Sequence, residues 1–257
     1  MNSCLIVDLG LVGFADAFAL QKRLVAARKA DAIGDVLLLC EHPHVITLGR
    51  NGKRENLLAS EQVLRQKGVE FHASNRGGDI TYHGPGQLVG YPILNLGAIR
   101  KDVVWYVRML EEAMIRATAE FGVAAARVEG KTGIWVQVAD AAPIAEATEE
   151  KLGAIGVHIS RWVTSHGFAY NVSTDLRFFD LIVPCGISGR KATSLEKILN
   201  RAVSPEEVVR PVVRNFGEVF GLEMRETSLA DLRSLLAAQA LAGESHLEHA
   251  HSVAALS

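Results

Sequence analysis

Apolar and polar positions along this chain follow two periods, close to two and close to 3.6 residues, and the chain switches between them often. Val103, Val107, Leu110, Met114, Ala117 and Phe121 recur at steps of three and four, which predicts a helix from Asp102 to Phe121 closed by Gly122. Phe14, Phe18, Leu20, Leu24 and Val25 predict another over Phe14 to Ala30, with Gln21, Lys22, Arg23 and Arg28 as the polar residues between. Ser60 caps a short helix to Lys67 that Gly68 stops, and Ser204-Pro205-Glu206-Glu207 opens a helix running to about Phe220. Ser228 to Ala240 is a further helix. Strands are expected at Cys4 to Leu9, Val36 to Cys40, Val45 to Leu48, Val69 to Ala73, Leu88 to Leu94, Thr132 to Val138, Leu152 to Ser160 and Val163 to Val172. Gly49 to Gly52 reads as a turn, and the Ala- and acid-rich stretch from Ala139 to Glu150 as a surface loop or hairpin tip. Strands and helices are interspersed without strict alternation. The fold class is therefore α+β with a mixed sheet.

One run breaks both periods. Arg76-Gly77-Gly78-Asp79-Ile80-Thr81-Tyr82-His83-Gly84-Pro85-Gly86-Gln87 packs glycines between polar and aromatic residues, unlike the small polar residues of a linker. Gly77 and Gly78 allow positive φ and a close backbone approach to a ligand, and Gly84-Pro85-Gly86 reads as a tight turn with Gly86 left-handed. The run is expected to be a ligand-facing loop and short strand leading into a sheet; an ordinary glycine-rich hairpin is the plainer alternative. It is no P-loop and lacks dinucleotide-binding spacing.

Composition narrows the classes. At 257 residues the chain is near the upper size of one domain, and its net charge of −2 gives no reason to expect nucleic acid. No run of eighteen apolar residues exists, so no membrane span is expected, and Met1-Asn2-Ser3-Cys4 lacks the start of a secretory signal. Three cysteines at wide spacing suit reduced thiols in a cytoplasm.

The run Arg76 to Gln87 resembles the signature of the octanoyl (lipoyl) transferases, relatives of the lipoate and biotin protein ligases. Three further stretches resemble the same family in order: Glu41-His42-Pro43-His44-Val45-Ile46-Thr47-Leu48-Gly49-Arg50, then Lys151-Leu152-Gly153-Ala154-Ile155-Gly156, then His166-Gly167-Phe168-Ala169 with Pro184-Cys185-Gly186-Ile187. Together they cover most of residues 5 to 220. The resemblance implies the biotin/lipoate ligase catalytic fold, a mixed central sheet flanked by helices, over residues 1–225. Residues 226–257 are then a C-terminal helical extension and flexible tail.

It also implies chemistry. By spacing alone Cys185 reads as a small buried hydrophobe, whereas the resemblance makes it an acyl-thioester carrier. Lys151 after Glu149-Glu150 reads alone as a solvated charge; the resemblance puts it beside Cys185, as a cation favouring thiolate or, when neutral, as a proton acceptor. Substrate-lining residues are implied at Arg76, Gly77, Gly78, Asp79, Ile80, Thr81, Tyr82 and His83, at Ala154, Ile155 and Gly156, and at Gly167, Phe168 and Ala169. His83 could orient a group near the thioester or hold the loop by a structural hydrogen bond. Cys4 and Cys40 lie inside apolar strands and are assigned to the core. Cys40, His42 and His44 have a spacing that suits a metal on one strand face, but Pro43 interrupts the strand and the resemblance implies no metal.

The implied reaction moves an octanoyl group from the phosphopantetheine of acyl carrier protein to Cys185, then to a lysine of lipoyl domains. The lipoyl domains of 2-oxoacid dehydrogenases and the glycine cleavage H protein are the implied acceptors. No ATP or metal is implied, and a monomer is expected. Two rivals stand beside this reading: an ATP-dependent lipoate ligase of the same fold, which needs no cysteine, and a non-catalytic acyl- or partner-binding module.

Overall fold

The computed structural model describes residues 2–138, 148–183 and 191–238. Cys185 with its neighbours, the stretch 139–147 and the tail from residue 239 lie outside the described residues. In chain order the elements are β1 (Asn2–Leu11), α1 (Phe14–Lys29), β2 (Asp35–Glu41), β3 (Val45–Leu48), α2 (Glu61–Gln66), β4 (Glu70–Ala73), β5 (Ile80–His83) and β6 (Gln87–Ile93). Then follow α3 (Leu96–Ile99), α4 (Val103–Ala119), β7 (Ala125–Val128), β8 (Lys131–Val138), β9 (Thr148–Ser160) and β10 (Val163–Asn171). After them come α5 (Leu195–Leu199), α6 (Pro205–Phe220), β11 (Leu222–Glu226) and α7 over residues 229–238.

The main sheet has eight strands in the order β11-β1-β2-β6-β10-β9-β8-β7. β1 is parallel to β11 and β2, while the pairs β2–β6, β6–β10, β10–β9, β9–β8 and β8–β7 are antiparallel. Both faces of this sheet are covered, which is why its central strands read as continuous apolar runs. Along β2, Leu37 and Leu39 enter the cluster under α4 and α6, whereas Val36, Leu38 and Cys40 enter the one under α1. β6 divides likewise, Leu88 to one side and Val89, Tyr91 and Ile93 to the other. A second sheet, β4-β3-β5, stands apart and has its own core of Ile46, Leu64, Val69, Ile80, Tyr82 and Ile182.

The helix ends obey local chemistry. Ser60 and Asp102 accept hydrogen bonds from Val63 N and Trp105 N, and Gly68 and Gly122 take positive φ just past the helices they close. Four elements have no counterpart in the pattern reading: α3, the short β7, α5, and β11, which pairs with β1 at the sheet edge. The acid-rich stretch read as a loop already contributes Thr148–Glu150 to β9, so strand pairing begins before Lys151.

The C-terminal extension is partly integral to the fold. α7 buries Leu232 and Leu236 in the cluster with Val7, Ala17, Leu24 and Val36. Truncating a fully buried leucine leaves a cavity worth roughly 2–5 kcal/mol. We expect Leu232→Ala to lower the unfolding free energy by about that amount, measured by urea denaturation, while a chain ended after Ala242 unfolds like the full-length protein. A Leu232→Ala midpoint equal to the parent's would show that α7 does not dock.

Candidate active site

The run that opens β5 is wedged between the turn after β3 and the middle of β9. Gly49 N donates to Asp79 O at 3.1 Å, Arg50 N to Arg76 O at 2.9 Å, and Gly77 N to Val157 O at 2.8 Å. Gly78 has φ +83 and Gly86 φ +79, the left-handed backbone expected of them. Arg76 then turns into the protein and is 8% exposed. Its Nε donates to Thr47 Oγ1 at 3.2 Å, its Nη2 to Thr47 O at 2.6 Å and its Nη1 to Gly77 O at 3.1 Å. Gly49 and Gly156 flank this side chain; an added Cβ would lie 2.9 Å from Nη1 at Gly49 and 3.1 Å from Cδ at Gly156. The two glycines of separate motifs thus make one slot for one guanidinium.

Between the run and the main sheet lies a cavity of about 100 Å³. Its floor comes from the β9–β10 register, where Gly156 opposes Gly167 and Ala154 opposes Ala169. Side chains alternate across a sheet, so these four small residues share one face, while Ile155 and Phe168, paired with each other, send theirs into the core under α4. Lys151 and Trp135 line the cavity together, with Nζ 4.6 Å from the indole centroid. His166 is six residues along the register from Lys151, since it pairs with Val157, which puts the two roughly 20 Å apart along the strand at ~3.3 Å per residue. Phe14, Arg76, His83 and Tyr91 line it as well.

Of the residues singled out in the sequence, Arg76, Gly78, Asp79, Ile80, Thr81, His83, Lys151, Ala154, Ile155, Gly156, Gly167, Phe168 and Ala169 all border this cavity. Gly77 and Tyr82 do not. Gly77 spends its N–H on Val157, and Tyr82 points to the far side of β5, where its hydroxyl is 2.7 Å from His44 Nδ1 and its ring stacks on Phe178 at 5.1 Å. The Asp79 carboxylate braces the neighbouring loop, accepting from Asn56 Nδ2 at 2.5 Å and from Ile80 N at 2.7 Å. Cys185 lies outside the described residues. Cys4 and Cys40 are buried, and burial pushes both thiols far above their ordinary range. Cys40 and His42 meet, with Sγ 3.7 Å from Nε2, but the His44 side chain turns away from both. His42 binds Val12 O and the Tyr91 hydroxyl, each at 2.6 Å, while His44 stacks on Phe178.

Phe14, Val89, Tyr91, Trp135 and Asn171 line the cavity but escaped sequence reasoning, while Gln87 and His166 stood in the quoted motifs without being assigned to the site. Some form a chain whose direction is fixed by its end. Thr193 O can only accept, so Asn171 Nδ2 donates to it at 3.0 Å. Asn171 Oδ1 therefore accepts from Gln87 Nε2 at 2.8 Å, and Gln87 Oε1 accepts from His83 Nδ1 at 2.7 Å. His83 is left with its proton on Nδ1 and a bare Nε2, 3.4 Å from Thr47 Oγ1. Both ring nitrogens are engaged inside the protein.

A family model described as the lipoyl protein ligase A/B catalytic domain matches residues 14–217. An octanoyltransferase from Acidobacterium capsulatum is 54% identical over 225 residues, covering 84% of this chain and 89% of that protein. Another, from Solibacter usitatus, is 50% identical over 87% of this chain and 96% of its own length. The chain belongs to the octanoyltransferases of the lipoyl protein ligase A/B family. Among solved structures, the bipartite lipoate protein ligase of Thermoplasma acidophilum superposes with a TM-score of 0.68 over 92% of this chain and 91% of its own, at 16% identity. That likeness concerns the fold. No helix among the described residues is long and apolar enough to cross a membrane.

Two histidines that line the cavity are held neutral by their surroundings. Burial, then the nearby His42 and Arg76, lower the pKa of His83 to about 3; burial, then Arg76 and His158, do the same to His166. In the unfolded chain both titrate near 6.5, so the stability carried by the neutral rings is complete above that value and is lost as pH falls toward about 3. Each ring should cost about 1.4 kcal/mol per pH unit over that window. Unfolding free energy measured between pH 7 and 4 should fall steeply in the parent and less steeply in His83→Gln; equal slopes would place the lost protons elsewhere.

Proposed function

We propose that the enzyme takes an octanoyl group from the thioester of acyl carrier protein onto Cys185 and passes it to a lysine amine of a lipoyl domain. The observation that carries this reading is the return of the chain to Lys151. Lys151 N donates to Lys191 O and Thr193 N to Lys151 O, each at 2.9 Å, so the segment that follows Cys185 by six residues is laced to the strand bearing Lys151. On the other side of Cys185, Val183 N donates to Asn56 O at 2.7 Å, beside the Asn56–Asp79 contact at the cavity rim. Both approaches to the cysteine are therefore tied to walls of one cavity.

The steps follow from the groups. The Cys185 thiolate attacks the donor carbonyl, and the carrier sulfur leaves as a thiolate that takes a proton from the Lys151 ammonium, which leaves that lysine neutral. The acceptor amine then attacks the new thioester; neutral Lys151 takes the proton from nitrogen, and the Cys185 sulfur leaves as thiolate. A thiol with an ordinary pKa near 8.5 is only about three per cent ionised at neutral pH, so a cation beside it raises the reactive fraction. The energy of the thioester drives amide formation, and no ATP or metal enters. Burying about six methylenes of the acyl chain contributes roughly 5 kcal/mol at ~0.8 kcal/mol each, ample to hold it along the Ala154–Gly156 floor. Lipoyl domains of 2-oxoacid dehydrogenases and the glycine cleavage H protein are the acceptors we propose, with the carrier as donor, in a reducing cytoplasm that keeps Cys185 a thiol.

Intact mass of the enzyme given octanoyl donor alone should rise by one octanoyl group, released by hydroxylamine. Cys185→Ser should lose the adduct and lower transfer by about 10²-fold or more. Lys151→Arg keeps a cation that cannot accept a proton, so acylation should survive while transfer to the acceptor stalls by about 10²-fold. An adduct on Cys4 or Cys40, or product from free octanoate and ATP without a thioester donor, would overturn the mechanism.

A further inference from the structure

The end of the cavity remote from Lys151 is built by α1 acting on β10. Phe14 lines the cavity and stacks on Phe18 at 5.8 Å; Phe18 in turn stacks on His166 at 5.1 Å. His166 also lines the cavity, and its Nε2 lies 2.7 Å from Asn75 Oδ1. It sits inside a strand yet has φ +54, a conformation that L residues with a Cβ adopt only when their surroundings hold them there. The holding contact is Gln21. This residue is fully buried on α1, and its Oε1 accepts from His166 N at 2.8 Å across 145 positions of sequence. Among the described residues its buried Nε2 has no hydrogen-bond partner, and the amide oxygen carries its polar contact.

We propose that Gln21 is a positioning residue that sets the acyl chain length the cavity accepts, by pinning the His166 backbone and hence the ring that closes the cavity's far end. Without the Gln21 oxygen, the His166 N–H is buried and unpaired, and the residue gains by leaving the left-handed region for extended backbone. The ring then leaves Asn75 and the Phe18 face, and the end wall moves. Gly167 and Ala169, two strand positions apart on the cavity floor, follow directly after the pinned residue. The inference rests on the reading that this cavity holds the octanoyl chain, and it concerns where that chain must stop.

The test is the binding of hexanoate, octanoate and decanoate to the full-length protein, measured by calorimetry so that it needs no turnover. Gln21→Met keeps the volume and removes the acceptor; octanoate preference over the other two should fall by about threefold or more, within the range one methylene commands. Gln21→Glu, carried as a buried neutral acid, keeps an accepting oxygen and loses no hydrogen bond from the idle Nε2, so it should restore the preference. His166→Gly takes positive φ unaided and removes the ring. It should itself flatten the preference, and adding Gln21→Met should then change nothing more. A Gln21→Met protein with parental ratios, a Gln21→Glu protein no better than Gln21→Met, or a Gln21→Met effect that persists in His166→Gly would each overturn the inference. Should Gln21→Met not fold, parental ratios in His166→Gly overturn it equally. A parent that binds no octanoate would refute the cavity reading itself, which separates that failure from this one.

Discussion

The one-way hydrogen-bond chain from His83 through Gln87 and Asn171 to Thr193 O is the contact on which the site depends. It crosses from the small sheet to the large one and ends on the residue whose N–H is bound to Lys151 O. No member can reverse without leaving a buried donor facing a donor, at a cost of about 1–3 kcal/mol for the unsatisfied group. A neutral His83 is a condition of this order, because a second ring proton would aim at Thr47 Oγ1, which already accepts from Arg76 Nε and Nη2. The guanidinium that helps depress the His83 pKa is thus also the group that commits Thr47 to donate toward it.

Arg76 poses the complementary problem, a cation only 8% exposed. Burial of a charge is tolerated when its donors are met, and Thr47 O, Thr47 Oγ1 and Gly77 O meet them. The glycines at 49 and 156 suit this packing, since a Cβ at 49 would collide with Gly78 O and crowd the guanidinium, and one at 156 would press on Gly77 O and the Arg76 stem. Two stretches more than a hundred residues apart are therefore constrained by one side chain. In one dimension they look like unrelated loops.

Much of this was legible from periodicity. α4 and α1 fall where steps of three and four put them, α6 where its Ser204-Pro205 start put it, and the strands of the central sheet where apolar runs stand. What escaped has physical reasons. β7 is a short edge strand with the half-exposed pattern Ala125–Val128, too brief to show alternation, and β11 has five residues directly after the left-handed Gly221. The Glu149-Glu150-Lys151 run imitates a solvated loop, but its charges are cross-strand and interelement partners: Glu149 with Lys131 at 2.6 Å, Glu150 with Lys197 at 2.9 Å. Tyr82 and His83 are neighbours in the motif and so face opposite sides of β5, one into the small core and one into the cavity. A motif marks both alike; a strand cannot use both alike.

Gln21 carries the same lesson on a helix. Its place three residues after Phe18 and seven after Phe14 puts it on the buried face, yet its amide reads as a surface residue. The buried face admits it because an unpaired backbone N–H waits there, and that N–H exists because His166 is twisted out of the β region. Polar residue and strained strand explain each other: each would be costly alone, and together they leave one satisfied hydrogen bond at the cavity's end. A saturated chain offers a protein no hydrogen bond by which its length can be read, so the limit must be a wall. The wall is firm only if the residue behind it has one conformation.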